Sequence, residues 1–315
     1  MNPAARLLRG DRTWLVALAA SFWGLSGLLR QPLAERLPAP TVVMWEHLIL
    51  VLVLVPFLGR AVRAYLRAGR RDQVAVAITG IGASALATTL FTLSFKVAAQ
   101  TGDYVTPVVL QKLQPLMAIG LAVLLLGERL RPKYWLFAVP ALVGAWMLTF
   151  ADPTEIRVAA LVSALLAVGA AMLWGAGTVL GRMVSNSFHP VELTTLRFAW
   201  GLPAAAVVVA LTGSPVAITG EDVPLLLLLA LIPGLLSLAL YYLALRTTPA
   251  SRATLAELAF PATAAFVGVV FLGAQLTWSQ WVGFALLVSA ITAFGRRERQ
   301  AEPTVSAAEP APVRR

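Results

Sequence analysis

The sequence has no cysteine, only two histidines among 315 residues, and just 13% charged residues. Without cysteine the chain has no disulfides and no thiolate metal site, and two distant histidines do not form a metal-binding cluster. No P-loop pattern GxxxxGK(S/T) occurs, and no serine has a nearby base in a recognisable arrangement. We therefore expect neither a metal site nor ATP hydrolysis, and we predict that the protein is not an enzyme.

Apolar residues dominate what is present. They make up 59% of the chain, and the mean hydropathy is +0.79. Soluble domains carry about 25% charged residues, roughly twice the fraction found here. The apolar runs are continuous over about 20 residues, which is the length of a membrane-spanning helix and lacks the alternation of a membrane β-barrel. The composition predicts an all-α integral membrane protein.

Ten apolar runs are long enough to be transmembrane helices. We place these spans at about residues 14–29, 41–58, 73–95, 105–130, 134–150, 158–182, 191–211, 223–245, 251–276 and 278–295. The first run has no clear small-residue cleavage site, so we interpret it as a retained span. Residues 60–72 read as a basic linker, residues 152–155 as an acidic linker, and residues 296–315 as a disordered cytoplasmic tail.

The chain contains an internal repeat. Residues 105–130 carry a lone cation, Lys112, and a mid-helix proline, Pro115, while residues 251–276 repeat this plan with Glu257 and Pro261. Trp23-Gly24 recurs 151 positions later as Trp174-Gly175. The pattern predicts one repeat over residues 1–150 and a second over 151–295. Because each holds five spans, an odd number, the second enters the membrane from the opposite side, as an inverted repeat.

The distribution of basic residues sets the predicted orientation. The positive-inside rule places arginine-rich segments in the cytoplasm. One set of linkers holds most of the arginines, including Arg60, Arg63, Arg67, Arg70, Arg71, Arg129 and Arg131, whereas the other set holds Asp103, Asp152, Glu155, Glu221 and Asp222. This predicts a multi-pass protein of the inner membrane with both termini in the cytoplasm. It also explains the net charge of +10 without nucleic-acid binding.

Four charged residues lie well inside predicted spans: Glu46, Lys112, Arg197 and Glu257. A charge at the centre of a membrane helix costs about 3 kcal/mol, so each should have a partner. Counting 1.5 Å per residue along each span predicts two ion pairs, Glu46 with Lys112 and Arg197 with Glu257. We expect these pairs, with Gln111 and Gln114, to line a cavity and open for a charged or zwitterionic substrate. Structural pins between helices are the alternative.

The repeated motifs each allow two interpretations. Trp23 and Trp174 could form an aromatic wall on a substrate path, or their glycines could simply let helices approach closely. Pro115 and Pro261, predicted as helix kinks, could free carbonyls to line a cavity or could only improve packing. Glu128 at a helix end is more consistent with a structural or gate contact than with a substrate ligand.

These residues resemble those of a known family. The order of ten spans, the two Trp-Gly pairs, the prolines in spans four and nine, and the sequence Leu126-Gly127-Glu128-Arg129-Leu130 are similar to EamA-type permeases of the drug/metabolite transporter superfamily. The chain departs from the family pattern at Gly273-Ala274, where Gly-Glu is frequent, and at Phe260, where an acidic residue is frequent. The resemblance implies a secondary carrier with a central cavity between the repeats and no bound cofactor.

The predicted function is transport of a small amino-acid-like, polar or amphipathic metabolite across the inner membrane by alternating access. The resemblance implies export as the direction. Coupling to protons through Glu46 or Glu257 and facilitated diffusion both remain open, and so does the choice between monomer and homodimer. The predicted partners are a small-molecule substrate and membrane lipid. A lipid-flipping or lipid-modifying protein is the main alternative, and a receptor or assembly subunit is a third.

Overall fold

The computed structural model describes residues 12–34, 36–101, 110–111, 113–130, 132–149, 161–271 and 275–301. Every regular element among them is helical. We number the α-helices α1 (Thr13–Gly24), α2 (Ser26–Ala34), α3 (Ala39–Arg67), α4 (Arg70–Ile78), α5 (Ala87–Thr101), α6 (Gln114–Leu126), α7 (Pro132–Thr149), α8 (Leu161–Val184), α9 (Pro190–Thr212), α10 (Val223–Leu229), α11 (Ser237–Leu245), α12 (Ala250–Ala256), α13 (Ala259–Phe271) and α14 (Trp278–Ala301). A first π segment (Thr79–Leu86) joins α4 to α5, and a second (Ala230–Leu236) joins α10 to α11.

Six helical stretches of the described residues are long and apolar enough to cross a membrane. They are Ala39–Arg67, Arg70–Phe91, Leu161–Val184, Pro190–Thr212, Val223–Leu245 and Ala250–Phe271. Thr13–Gly24, Gln114–Leu126 and Trp278–Phe294 are shorter apolar helices. The predicted all-helical membrane class is confirmed, whereas the count of ten spans stays a prediction.

Two predicted boundaries are wrong. The helix α3 continues through the basic segment to Arg67, so the predicted linker 60–72 is mostly helical and the chain turns only at Ala68 and Gly69. Arginine, alanine and leucine are strong helix formers, and neither glycine nor proline occurs between Arg60 and Ala68. Likewise α14 continues to Ala301, inside the predicted tail. The acidic linker 152–155 lies outside the described residues.

Corresponding helices of the two halves pack against each other in opposite directions. Between α3 and α9, Thr41 Oγ1 donates to the Pro215 carbonyl oxygen just beyond the end of α9 (2.7 Å), and Arg60 Nε donates to Glu192 Oε1 at its start (2.6 Å). Between α7 and α14, the Tyr134 and Phe294 rings lie 6.0 Å apart, while Gln280 Nε2 donates to the Leu148 carbonyl at 3.2 Å. Both pairs are therefore antiparallel.

The two π segments start 151 positions apart in the sequence. The first packs against α9 of the second half, and the second packs against α3 of the first half. A Cβ added to Gly80 would lie 2.8 Å from the Arg197 carbonyl oxygen of α9. A Cβ added to Gly234 would lie 2.9 Å from Leu50 Cδ1 of α3. Each π segment thus contains a glycine at a close helix contact. π-helical turns are often found at functional sites.

The largest core joins both halves. Val16 of α1, Leu50 of α3, Leu193 of α9 and Tyr242 of α11 are all fully buried within it. A separate cluster packs α7 against α14 through buried side chains that include Leu287 and Phe294. Because the main core contains side chains from both sequence repeats, the two halves pack against each other through one shared core.

Glu128 connects the end of α6 to the start of α12. The helix α6 ends at Gly127, which has a left-handed φ of 65° and turns the chain toward the other half. The Glu128 carboxylate accepts hydrogen bonds from the backbone N–H groups of Ala250 (2.6 Å) and Ser251 (3.0 Å) and from the Ser251 hydroxyl (2.6 Å). It caps the helix N-terminus, where a negative charge is favoured. The sequence favoured a structural or gate contact for Glu128 over a contact with substrate, and this cap is a structural contact.

We expect Glu128→Ala to destabilise the protein by about 0.5–2 kcal/mol, the range for loss of a helix N-cap. Glu128→Gln should be milder because the amide oxygen still accepts one hydrogen bond. Denaturant unfolding in detergent micelles measures both effects, with the exposed neighbour Arg129→Ala as the matched control. Equal stability of Glu128→Ala and Arg129→Ala would contradict the capping role.

An ion-pair cluster ties the segment after α2 to the start of α10. The Arg36 guanidinium contacts Glu221 Oε2 and Asp222 Oδ1, each at 3.2 Å. Asp222 also accepts hydrogen bonds from the Thr219 backbone N–H and hydroxyl, both at 2.9 Å. These hydrogen bonds, with the nearby Arg36 charge, hold the pKa of the Asp222 carboxyl below its ordinary value. The Asp222 side chain is 1% exposed, whereas that of Glu221 is 85% exposed.

A lowered folded-state pKa means that the Asp222 charge stabilises the protein above the pKa of the unfolded chain, about 3.9. That contribution is lost as the pH falls through the folded-state pKa. We expect Asp222→Asn to lower the melting temperature at pH 7, and the difference from wild type to shrink as the pH is lowered below about 4. Fluorescence-detected melting between pH 3 and pH 8 measures this. Glu221→Gln, a change at an exposed site, should have little effect, and a pH-independent deficit in Asp222→Asn would refute the argument.

Candidate functional site

A cavity of about 600 Å³ lies between the two halves of the chain. This volume is typical of small-molecule binding sites. Its aromatic lining residues are Trp23, Phe91, Trp174, Phe198, Tyr241 and Phe260, and its polar lining residues include Ser26, Glu46, His47, Ser84, Thr88, Gln111, Gln114, Thr178, Arg197, Thr254 and Glu257. The cavity combines apolar walls with scattered hydrogen-bonding groups.

Each Trp-Gly motif supplies one aromatic wall and one close helix contact. A Cβ at Gly24 would lie 2.9 Å from the Phe260 carbonyl oxygen, and a Cβ at Gly175 would lie 3.1 Å from the Gln114 carbonyl oxygen. The adjacent tryptophans face the cavity, where the Trp23 ring lies 5.1 Å from that of Tyr241. The Trp174 ring lies 5.3 Å from that of Phe91. The glycine of each pair therefore makes a close helix contact and the tryptophan lines the cavity, while the place of the tryptophans on a substrate path stays a prediction.

Each proline lies just after a break within its span, and its role as a helix kink stays a prediction. Pro115 is in the first turn of α6, and Pro261 is in the first turn of α13, after a break that separates α12 from α13. A proline has no N–H to bond the carbonyl four residues earlier, and its ring clashes there. Those earlier residues are Gln111 and Glu257, and both line the cavity. Each helix break therefore coincides with a polar cavity residue.

Glu257 is held by two hydroxyl groups. Its Oε1 accepts a hydrogen bond of 2.6 Å from Tyr241 and one of 3.0 Å from Thr178. Tyr241 belongs to α11 and Thr178 to α8, so the carboxylate joins three segments of the second half. Hydrogen bonds to a charged group are among the stronger ones in proteins and offset part of the cost of burying the carboxylate.

Arg197 is also held by hydroxyl groups, which corrects the predicted Arg197–Glu257 ion pair. Its Nε donates to Ser84 Oγ at 3.0 Å, and its Nη1 donates to the Tyr242 hydroxyl at 3.1 Å. In the part of the chain that the structure describes, no ion pair joins Arg197 to Glu257. Neighbouring tyrosines contact the two charges separately, Tyr242 the arginine and Tyr241 the glutamate. Both charges nevertheless line the same cavity.

Glu46 and His47 line the cavity together from α3. His47 Nδ1 lies 2.8 Å from the Val43 carbonyl oxygen, and its ring meets Phe198 edge-on at 5.3 Å. Lys112 lies outside the described residues, so its pairing with Glu46 stays a prediction. Of the predicted site residues that the structure describes, all line this one cavity: Trp23, Glu46, Gln111, Gln114, Pro115, Trp174, Arg197, Glu257 and Pro261.

Sequence reasoning missed the hydroxyl groups that hold the charges. Ser84 and Thr178 are ordinary residues of apolar helices, and nothing in the local sequence distinguishes them. The one available signal was the adjacent Tyr241-Tyr242 pair inside an otherwise aliphatic span. A buried charge without a charged partner requires such hydroxyls, so the buried charges themselves indicate that hydroxyl groups lie nearby.

Comparison with known proteins agrees with this architecture. The model of the EamA-like transporter family matches the chain twice, at residues 13–150 and 161–295. The chain is 31% identical over 290 residues to the riboflavin transporter ImpX of Fusobacterium nucleatum subsp. nucleatum, covering 88% of this chain and 95% of that protein. It is 27% identical over 296 residues to a riboflavin transporter of Rhizobium johnstonii, covering 92% of each.

Two further comparisons concern the membrane and the fold. An uncharacterized inner membrane transporter of Salmonella typhimurium, YicL, is 24% identical over 293 residues, which cover 88% of this chain and 92% of that protein. A solved crystal structure superposes with a TM-score of 0.75 at 19% identity, covering 93% of this chain and 99% of the other, and it shows the shared fold alone. With one match to the family model in each half, the chain belongs to the EamA-like transporter family.

Proposed function

We propose that the protein is a secondary transporter that moves a flat, polar heteroaromatic solute of the riboflavin type across the membrane by alternating access. The observation that carries this proposal is the cavity between the halves, with aromatic walls and hydrogen-bonding groups from both. Two relatives that match most of the chain are named riboflavin transporters. Riboflavin also falls within the polar or amphipathic solutes expected from the sequence.

The proposed architecture is ten spans in two inverted repeats of five. The helices of the described residues support this architecture. Six apolar helices are long and three are shorter, and α7, with 18 residues, would be the tenth span. Corresponding helices run antiparallel, α3 against α9 and α7 against α14. A site between inverted repeats is the arrangement in which rocking of one half against the other exposes the cavity to alternate sides.

The cavity chemistry favours a neutral polar solute over a charged one. Arg197 and Glu257 already have hydrogen-bonding partners in the protein, so neither requires a charged substrate for compensation. The tricyclic ring of riboflavin has a flat apolar face suited to the tryptophan walls. Its polar edge offers N–H and C=O groups to the glutamine amides and to Glu257, and its sugar-alcohol chain adds hydroxyls. A solute of this kind would contact both the aromatic walls and the hydrogen-bonding groups of the cavity.

The orientation is tested by labelling single cysteines, which is direct because the chain has none. We propose that both termini are cytoplasmic, as expected from the positive-inside rule. A cysteine replacing Arg67 should then react with a membrane-impermeant maleimide only in inside-out vesicles. A cysteine replacing Glu221 should react only in intact cells or right-side-out vesicles. The reverse pattern would invert the topology, and labelling of both from the same side would refute the inverted arrangement.

The function is tested with riboflavin fluorescence in proteoliposomes containing the purified protein. Wild type should accelerate riboflavin flux over protein-free vesicles. Glu257→Gln should reduce it about tenfold, because a hydrogen bond to a charged group is worth about 1.5–3 kcal/mol. Glu221→Gln, which removes the same charge at an exposed site away from the cavity, is the matched control.

The same assay separates the remaining alternatives. No riboflavin flux with the wild type would overturn the proposed substrate, and an amino-acid panel would then be assayed. Stimulation by an imposed pH gradient favours proton coupling through Glu46 or Glu257, whereas insensitivity favours facilitated diffusion. Export predicts that cells overproducing the protein release more riboflavin. Greater accumulation inside those cells would contradict export.

A further inference from the structure

A second concave region lies on the outer surface of the helices, separate from the central cavity. It is a groove of about 520 Å³ between the end of α3, the helix α4, the first π segment and α8. Its lining changes character along its length, from Tyr65, Arg70 and Gln73 at one end to Ile81, Leu86 and Leu173 at the other. A polar end followed by an apolar trough is the shape of a site for an amphipathic ligand.

The polar end carries a net positive charge, because Arg67, Arg70 and Arg71 outnumber Asp72 in the first turn of α4. The exposed side chains of these three arginines form no hydrogen bond or ion pair with the described residues. The helix α4 starts at this end after Gly69, with no side chain capping its free N–H groups. Such a helix start favours an anion, and the unpaired Arg70 lies in its first turn.

The apolar part of the groove is exposed on the outer surface of the helices, which is the surface expected to face lipid. Val74 and Ile78 of this groove are 57% and 45% exposed, although both are apolar. From Arg70 to Leu86 the helix rises roughly 24 Å at 1.5 Å per residue, enough for one acyl chain to follow it into the membrane. The charged end lies on the side predicted to be cytoplasmic, where anionic lipids give the membrane surface its negative potential.

We propose that this groove binds one anionic phospholipid. The lipid phosphate contacts Arg70 and the first N–H groups of α4, and one acyl chain packs along Val74, Ile78, Ile81 and Leu173. Basic pockets between membrane helices on the cytoplasmic side are known to suit such headgroups. The site rests on the chain being a membrane protein and does not depend on which solute it transports.

The groove and the central cavity share a wall. In the first π segment, Ile81 and Gly82 line the groove, whereas Ala83 and Ser84 line the cavity. Ser84 accepts the hydrogen bond from Arg197 Nε. A lipid chain in the groove therefore packs against the back of the segment that positions Arg197. The bound lipid stabilises that segment, so it raises the melting temperature of the protein.

The experiment uses the purified full chain in mild detergent with equal amounts of phosphatidylglycerol and phosphatidylcholine. Native mass spectrometry counts the lipids retained. Wild type should retain phosphatidylglycerol preferentially, and Arg70→Ala should lower that retention about fivefold, since one basic side chain near a lipid surface contributes about 1 kcal/mol. Arg71→Ala is the matched control because it removes the same charge one residue away but does not line the groove.

A second variant tests the apolar part. Ala77→Phe fills the groove with a larger side chain at a position that lines it and should also reduce retention, in a protein whose unchanged far-ultraviolet spectrum shows that it folds. Added phosphatidylglycerol should raise the melting temperature of wild type more than that of Arg70→Ala. Equal losses in Arg70→Ala and Arg71→Ala, or equal retention of the two lipids by wild type, would overturn the site. So would full retention by folded Ala77→Phe.

Discussion

The structure depends on how charged side chains are satisfied inside an apolar helical protein. Water is scarce there, so an ionised group requires polar partners supplied by the protein itself. Arg197 and Glu257 find them in the hydroxyls of Ser84, Tyr242, Tyr241 and Thr178. Because hydroxyls are neutral, they do not cancel the charges of Arg197 and Glu257, and both charged groups remain at the cavity wall.

Close helix contacts make room for this arrangement. Glycines at the crossings allow backbones to approach to distances that no side chain would permit, as at Gly24 against α13, Gly175 against α6 and Gly80 against α9. In each case the contact joins one half of the chain to the other. The bulky residues beside two of these glycines, Trp23 and Trp174, face the cavity that the crossings surround. Small residues therefore bring the helices together, and their neighbours define the site.

The sequence allowed the helical membrane class, the repeat and nine of the cavity-lining residues to be predicted, because these follow from hydropathy, spacing and the cost of buried charge. The helix α6 stops at Gly127, three residues before the predicted end of the span, at a left-handed glycine of the kind that commonly ends helices. The extension of α3 to Arg67 was missed because arginines were interpreted as loop residues, although they are good helix formers. The π segments and the hydroxyl partners depend on contacts between distant segments, as in the Gly80 crossing with Arg197, which local patterns do not encode.

The repeats share a scaffold but differ in chemistry at equivalent positions. Gln111 and Glu257 both lie four residues before a proline, 146 positions apart, yet one is a neutral amide and the other a carboxylate. The first π segment presents Ser84 to Arg197, while the second presents Pro233 and Gly234 to the cavity. A symmetric cavity would offer identical groups to both ends of a solute. Divergence at these few positions makes the lining of the cavity asymmetric without any change in the helical framework.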